Sequence, residues 1–209
     1  MAATVTTRRA ALSDTPILLR VIEWAYRGGA PVSGWTGEEH LVSGPRITQD
    51  ELEADISAAL AADAHHVILV AEDSSLDNET CADRFGSSVV GCVKVEKLDR
   101  VPEPDDVVAE AEVGLFAVDP TLQGRGAGGI LLAQAEAAAV DVLGASHAVI
   151  HVLNVRDDIL AWYDRKGYVA NGKTMPFPPP GVASRSKLKP AATNVHFIEL
   201  TKPLLPSEP

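Results

Sequence analysis

The stretch QGRGAGG, residues 123–129, decides how the rest of this chain is interpreted. An apolar run at 113–118 precedes it, and an Ala- and Leu-rich helical pattern from Ile130 to Leu143 follows it. This order predicts a strand, a glycine-rich turn and a helix. Glycines let the backbone approach a ligand closely, and the unpaired N–H groups at a helix start attract phosphate. The stretch therefore indicates a phosphate-bearing cofactor.

Two other phosphate-binding motifs fit this turn less well. A Walker loop ends in Gly-Lys-Ser/Thr, and this tripeptide is absent from the sequence. Gly124, Gly126 and Gly129 match the Gly-x-Gly-x-x-Gly dinucleotide fingerprint, but that fingerprint belongs at the first strand of a βαβ unit. Here it lies past the middle of the chain, and Asp141 follows Gly129 by only 12 residues where about 20 are expected.

A second signature lies downstream of the glycine turn. The β-branched run at 148–153 predicts a strand. Residues from Arg156 to Lys166 predict a short helix that ends at Gly167, and Tyr168 begins the next strand. The end of this helix carries the string WYDRKGY at 162–168. A nucleotide-binding protein of another fold would leave this string unexplained.

The two motifs together resemble the GNAT superfamily of acetyl-CoA-dependent N-acetyltransferases. Gln123, Gly126 and Gly128 fit the Gln-x-x-Gly-x-Gly pattern of its pyrophosphate loop, and WYDRKGY is similar to its Tyr-Glu-Arg-x-Gly-Phe/Tyr motif. The resemblance implies an α/β (α+β) fold: a mixed, mostly antiparallel sheet of about seven strands flanked by about four helices. It also implies that the fourth and fifth strands splay apart around the pantetheine arm.

The other patterns follow the order of that family. Further strands are predicted at 4–9, 66–72, 87–97, 110–118 and 195–200, and helices at 13–26 and 48–62. The resemblance covers about residues 4–203 of one N-acetyltransferase domain spanning 1–209. The polar stretch 76–84 is interpreted as a surface insertion. The long loop 171–194 is expected to border the acceptor site, as the corresponding loop often does in the family.

Composition narrows the classes of partner. The formal net charge of -11 argues against nucleic acid and mildly favours an amine, although an ordinary acidic surface explains it better. The sequence has no run of 18 apolar residues, so no membrane span is expected. Two cysteines, Cys81 and Cys92, favour a reducing, cytoplasmic location, and no ligand spacing predicts a metal. A monomer and a homodimer both remain open.

Cofactor binding falls to the glycine turn and to the strand before it. Backbone N–H groups of the turn would hold phosphates, and Arg125 would add a charged contact. The N–H of Phe116 resembles the family's donor to the acetyl carbonyl, as in an oxyanion hole. The implied cofactor-binding residues are Phe116, Ala117, Val118, Gln123, Gly124, Arg125, Gly126, Ala127, Gly128, Gly129 and Asn154.

Asn154 is included because of a departure from the family pattern. Many members have Asn seven residues before the motif tyrosine, where it contacts the cofactor. Arg156 occupies that position here, and Asn154 is two residues earlier. Either Asn154 replaces the usual residue, or this helix contacts the cofactor differently.

Tyr163 and Glu112 are the candidate catalytic residues. Tyr163 occupies the position of the family tyrosine that faces the departing sulfur, although it could simply pack in the core. Some histone-acetylating members have a general-base glutamate at the offset of Glu112, which could equally be a solvated carboxylate. Period-two alternation places Glu112 on the same face as Phe116 and Val118 unless a bulge intervenes.

The first connecting segment is expected to form one wall of the acceptor site. Its aromatic and acidic residues suit an amine. The implied substrate-binding residues are Trp24, Tyr26, Trp35 and Glu38. Arg46 adds a possible anion contact, and packing of the tryptophans on the core is the alternative. His40, His151 and His196 are isolated in sequence and receive no role.

The sequence thus predicts an enzyme that moves an acetyl group from acetyl-CoA to a primary amine by direct transfer. The acceptor is an amine-bearing small molecule, peptide or protein whose identity the sequence does not fix. The alternative is a GNAT-fold regulatory module that binds acyl-CoA without turnover.

Overall fold

A computed structural model describes residues 5–32, 34–99, 108–178, 187–190 and 192–204. The strands are β1 Val5–Arg9, β2 Val42–Ser43, β3 His66–Asp73, β4 Val89–Lys97, β5 Glu110–Val118, β6 His147–Leu153, β7 Val169–Pro176, β8 Lys187–Leu188 and β9 His196–Pro203. The helices are α1 Thr15–Arg27, α2 Gln49–Ala59, α3 Asn78–Ala82, α4 Ala127–Asp141 and α5 Asp157–Asp164. None of these helices has the length and apolar character needed to cross a membrane.

Seven strands form one mixed sheet in the order β1-β3-β4-β5-β6-β9-β7. Every neighbouring pair is antiparallel except β5 and β6, which run parallel. The predicted fold class is therefore confirmed. The short helix α3 lies in the stretch predicted to be a surface insertion, and β2 and β8 form a separate two-stranded sheet. Thr4, and residues 179–186 and 191 of the predicted long loop, lie outside the described residues, whereas residues 171–176 of that predicted loop are strand and belong to β7.

Local sequence signals start two of the helices in different ways. Thr48 caps α2 as a capping box, because its hydroxyl accepts from the Glu51 N–H and Glu51 accepts from the Thr48 N–H. Asp14 precedes α1 but makes no side-chain cap there. Its carboxylate instead accepts from the Ala11 N–H and pairs with Arg8, since Arg8 on β1 offers a charged partner.

Apolar side chains cover both faces of the sheet. On one face, Leu131, Leu132 and Ala135 of α4 pack with Tyr163 of α5. On the other face, the buried sides of α1 and α2 pack on β3 and β4, with Leu18, Ile22, Leu52 and Ile56 fully buried. We call the first of these the α4 face and the second the α1 face.

A β-bulge divides β5 into two halves. Ala117 lies opposite Cys92 of β4, but Gly114 lies opposite Lys94, so β5 has one extra residue. Leu115 has a φ of 44° at this point. As a result, Val113 packs on the α4 face whereas Leu115 packs on the α1 face. The simple alternation is therefore wrong here: Glu112 lies on the face opposite Phe116 and Val118.

The parallel pairing of β5 with β6 is short. It joins Glu110–Glu112 to residues 147–149 and stops there, while β6 stays paired with β9 over residues 147–153. Beyond Glu112, β5 and β6 therefore separate. Because the short strand β2 was not predicted, β5 and β6 are the fourth and fifth strands of the sequence analysis, and this separation is the splay that the family resemblance implied.

The close approach of β4 to β5 requires Gly91. A Cβ atom at Gly91 would lie 2.7 Å from the carbonyl oxygen of Ala117. We expect Gly91→Ala to lower the free energy of unfolding by about 1–3 kcal/mol in urea denaturation. Gly129→Ala is the control: its Cβ would lie 3.7 Å from the flexible Lys166 Nζ, and alanine favours a helix. Equal stability of both variants would contradict this account of Gly91.

Candidate active site

A cavity of about 670 Å³ occupies the gap between β5 and β6. Side chains from both faces of the sheet line it. Phe116, Val118 and Tyr163 come from the α4 face, and Tyr26 and Glu112 come from the α1 face. The gap is therefore bordered from both sides of the sheet.

The glycine turn forms one wall of this cavity. The lining residues from the turn are Gln123, Gly124, Gly126, Ala127, Gly128 and Gly129. Gly124 and Gly126 have φ angles of 84° and 86°, in the left-handed region that favours glycine. Gly126 immediately precedes α4, which begins three residues earlier than predicted. The wall thus ends in a helix N-terminus, as a phosphate site requires.

A buried ion pair holds the start of this turn. Asp119 is fully buried and pairs with Arg84, whose guanidinium also donates to the carbonyl of Val89 at 2.5 Å. The same carboxylate accepts from the N–H of Thr121 at 2.9 Å. Arg84 belongs to the stretch that was predicted to be a surface insertion. This segment therefore helps to place the glycine turn.

The bulged half of β5 is held by side chains. The Tyr26 hydroxyl donates to the carbonyl of Phe116 at 3.1 Å, and Gln123 Nε2 donates to that of Val118 at 3.3 Å. The Phe116 ring lies 6.0 Å from the ring of Trp162. The role of the Phe116 N–H as an oxyanion donor remains a prediction.

Four residues predicted for the site do not line the cavity. Arg125 pairs with Asp73 at 3.2 Å, and Ala117 is buried under α1 because of the bulge. Asn154 joins β6 to β9, since its Oδ1 accepts from the N–H of His196 at 2.9 Å. Trp24 lies beside Arg20, whose guanidinium is 4.9 Å from the indole ring centroid.

Tyr163 lies at the end of α5 with its ring buried against Trp162 and Tyr168. Burial raises the pKa of its phenol above the ordinary value of about 10. The phenol therefore stays protonated at neutral pH. It can donate a hydrogen bond into the cavity that it lines.

Arg156 holds the wall that contains Trp35. Its buried guanidinium donates to the carbonyls of Trp35, Thr36 and Gly37 and pairs with Asp158. The Trp35 ring then packs 6.2 Å from that of Trp162. The residue that replaces the usual family Asn thus supports a connecting segment across the cavity.

The side of the cavity predicted to hold the acceptor carries charges of both signs. Glu38 pairs with Arg27 at 3.1 Å, and burial raises the pKa of Glu38 although Arg27 and Arg46 oppose the rise. Arg46 lies over the Tyr26 ring at 4.9 Å. Met175 near the end of β7 and Phe177 and Pro178 after it also line the cavity, and the role of this stretch at an acceptor site remains a prediction.

His151 joins two carboxylates across three strands. Its Nδ1 lies 3.0 Å from Glu112 Oε1, and its Nε2 lies 3.2 Å from Glu199 Oε2. Burial lowers the pKa of His151, but the hydrogen bond and charge of Glu112, together with Glu199, outweigh it and raise the pKa above 6.5. Sequence reasoning gave His151 no role. The available signal was a polar residue within the apolar strand 148–153.

Comparisons with known proteins agree with this geometry. Residues 33–168 match the model of the acetyltransferase (GNAT) family. A search of curated proteins gave no match. Solved structures resemble the chain over almost its whole length. At identities of 14–16%, these likenesses concern the fold.

One similar structure is the spermidine/spermine N-acetyltransferase SpeG from Vibrio cholerae with manganese ions, at 15% identity and a TM-score of 0.57, covering 95% of this chain and 92% of that one. A chimera of SpeG with hSSAT has 16% identity and a TM-score of 0.60, with 96% of each chain covered. The PaiA N-acetyltransferase from Thermoplasma acidophilum with coenzyme A has 14% identity and a TM-score of 0.58, covering 96% of this chain and 99% of that one.

The splayed sheet, the glycine turn before α4 and the lined gap define an acyltransferase. The family match covers more than half of the sequence. This chain therefore belongs to the GNAT acetyltransferase family.

Arg156 provides a test of how the cavity wall is built. We expect Arg156→Ala to lower the free energy of unfolding by about 2–4 kcal/mol, because buried carbonyls lose a charged donor. The near-ultraviolet circular dichroism from the Trp35–Trp162 contact should also weaken. Asp158→Asn is the control and should cost less than about 1 kcal/mol, since that carboxylate is half exposed. Equal losses in both variants would show that the bonds to the carbonyls do not hold the wall.

Proposed function

We propose that this single-domain protein transfers an acetyl group from acetyl-CoA directly to a primary amine, with no covalent enzyme intermediate. The observation that carries the proposal is the gap between β5 and β6. The glycine turn borders it on the α4 face, and Glu112 borders it on the α1 face. A thioester and an amine can therefore approach each other from opposite sides of the sheet.

The residues present fit acetyl-CoA as the donor. Gly124 and Gly126 give the turn a backbone that is open toward a ligand, since a Cβ atom at either would meet nothing within 4 Å. The first turn of α4 would bind the pyrophosphate through its N–H groups. Coenzyme A in the Thermoplasma structure of the same fold supports this choice. Arg125 remains a candidate phosphate contact, for which its guanidinium would have to leave Asp73.

The chemical roles follow from where each group lies. Glu112 would accept a proton from the acceptor ammonium, and the Phe116 N–H would polarise the thioester carbonyl. Tyr163 would stabilise the departing thiolate. Because its raised pKa makes full proton transfer to a thiolate unfavourable, we assign it a hydrogen bond rather than complete acid catalysis.

An amine-bearing small molecule, peptide or protein suits the acceptor side. Aromatic rings of Trp35, Phe177 and Phe197 line the same cavity as Glu112 and can pack on an aliphatic or cationic acceptor. The spermidine N-acetyltransferases of similar fold act on an amine, which supports this class.

The remaining partner and location proposals rest on composition. The net charge of -11 argues against a nucleic acid acceptor, and we propose neither a membrane partner nor a metal requirement. Cys81 and Cys92 are both free thiols, which suits a cytoplasmic location. The protein would act as a monomer or a homodimer.

Calorimetric titration with acetyl-CoA is the first test, with ATP and NAD as controls. We expect micromolar binding of acetyl-CoA alone, followed by thiol release in a screen of amine acceptors. Binding without turnover would instead indicate a regulatory acyl-CoA-binding module. Absence of binding would reject the cofactor assignment of the glycine turn.

Tyr163→Phe separates catalysis from binding. The substitution keeps the ring that packs on Trp162 and Tyr168 but removes the hydroxyl. We expect kcat to fall by about 10²-fold, as for loss of one transition-state donor, while the dissociation constant for acetyl-CoA changes little. Unchanged kcat in steady-state thiol release would show that Tyr163 only packs.

A further inference from the structure

The three groups Glu112, His151 and Glu199 form a continuous chain of contacts on the α1 face of the sheet. Each comes from a different strand: β5, β6 and β9. His151 and Glu199 are directly opposite each other in the β6–β9 register. The carboxylate of Glu112 is 36% exposed and lines the cavity, whereas Glu199 is 7% exposed. This chain of contacts thus leads from the cavity into the sheet.

The geometry of His151 determines how many protons these three side chains hold. Each ring nitrogen faces a carboxylate oxygen, at 3.0 Å and 3.2 Å. A nitrogen lone pair and a carboxylate oxygen repel each other unless a proton lies between them. A neutral imidazole carries only one N–H and can satisfy only one of the two contacts. Both contacts become favourable only when His151 takes up a second proton.

The surrounding charges favour that uptake. On β7, Asn171 donates to Glu199 at 2.7 Å and fixes its carboxylate, and Lys173 lies 3.9 Å from it. On β4, Glu96 is opposite Glu112 and pairs with Lys94 at 3.1 Å. Arg46 lines the same cavity, and the Phe197 ring packs 6.2 Å from the His151 ring. Two carboxylates in direct contact therefore remain the nearest charges to the imidazole.

This arrangement does not resemble a metal site. Glu112 and Glu199 occupy opposite sides of the ring, so the three groups do not converge on one point. Among the residues that the structure describes, no group of three or more His, Cys, Asp or Glu side chains is placed to hold a metal ion.

We infer that His151 takes up the proton of the acceptor ammonium through Glu112, and that Glu199 is a positioning residue that stabilises the resulting imidazolium. This inference rests on the acetyl transfer proposed above. Glu112 is the group that touches the acceptor, and His151 acts through it. The base of the reaction is then the coupled group rather than Glu112 alone.

The proton balance of the step is simple. The ammonium N–H bond breaks, its electron pair stays on nitrogen, and the proton passes by Glu112 to His151 Nδ1. The amine forms a bond to the acetyl carbon, the C–S bond breaks, and the second nitrogen proton goes to the thiolate. Glu112 is a carboxylate before and after the step. One proton is released per turnover, and the imidazolium returns it to solvent.

Glu199→Gln provides the decisive variant. It retains an amide that can bond to the imidazole but removes one of the two charges that stabilise imidazolium. The His151 titration should therefore move to lower pH by about one unit. The acid limb of kcat/KM, where the base becomes protonated, should move in the same direction and by the same amount. Glu136→Gln is the matched control, because Glu136 pairs with Lys202 of β9 at 2.8 Å on the opposite face.

Two measurements on the full chain keep the outcomes separate. NMR titration of the imidazole signals needs no substrate, and the His151 signal is assigned by its loss in His151→Gln. The pH profile of acetyl transfer is then measured with acetyl-CoA and an amine found in the acceptor screen. We expect His151→Gln to lower kcat by at least about 10²-fold, with little change in KM for acetyl-CoA.

Parallel shifts of the NMR midpoint and the acid limb in Glu199→Gln, with neither moved in Glu136→Gln, support the inference. An NMR shift with an unmoved acid limb would overturn it and leave His151 structural. An NMR midpoint that Glu199→Gln does not move would overturn it as well. Absence of transfer by the wild type would reject the proposed function itself and the inference with it, while the NMR titration would still report on the three-residue chain.

Discussion

The β-bulge at Leu115 is the constraint on which the site depends. It adds one residue to β5 and reverses the faces of all residues after it, and the pairing of β5 with β6 ends at Glu112, just before it. β6 remains paired with β9 along its whole length. The sheet therefore opens at one place while both of its halves stay hydrogen-bonded. The Tyr26 hydroxyl on the Phe116 carbonyl fixes the opened strand from the α1 face.

Two buried arginines help to hold the walls of the gap, in addition to apolar packing. Arg84 pairs with Asp119 ahead of the glycine turn, and Arg156 binds three carbonyls of the segment that carries Trp35. Loss of a partner would leave a buried guanidinium with an uncompensated charge, so such contacts constrain the geometry around it. Both arginines thereby bring distant segments to one cavity, and each gives that cavity a defined shape.

The proposed chemistry divides between the two faces. Tyr163 and the glycine turn lie on the α4 face, where the thioester sulfur and the phosphates would lie. Glu112 and His151 lie on the α1 face, where the amine would enter. Since the bulge separates these faces along one strand, the proposed proton uptake from the amine and stabilisation of the thiolate would occur in separate environments. A phenol with a raised pKa and a protonatable imidazole can then coexist in one cavity.

The sequence by itself determined the order of strands and helices, the glycine turn and the position of Tyr163. These features depend on local patterns: alternating apolar residues, glycines at positive φ and a glycine that ends a helix. Only the tertiary structure decided which side chains meet. His151, Glu112 and Glu199 lie on three strands far apart in sequence, and Arg156 contacts carbonyls about 120 residues away. The tertiary structure also decides that Arg125, Asn154, Ala117 and Trp24, which the family resemblance placed in the site, do not line the cavity. A motif specifies the backbone near itself, whereas strand register and a single bulge decide where each side chain points.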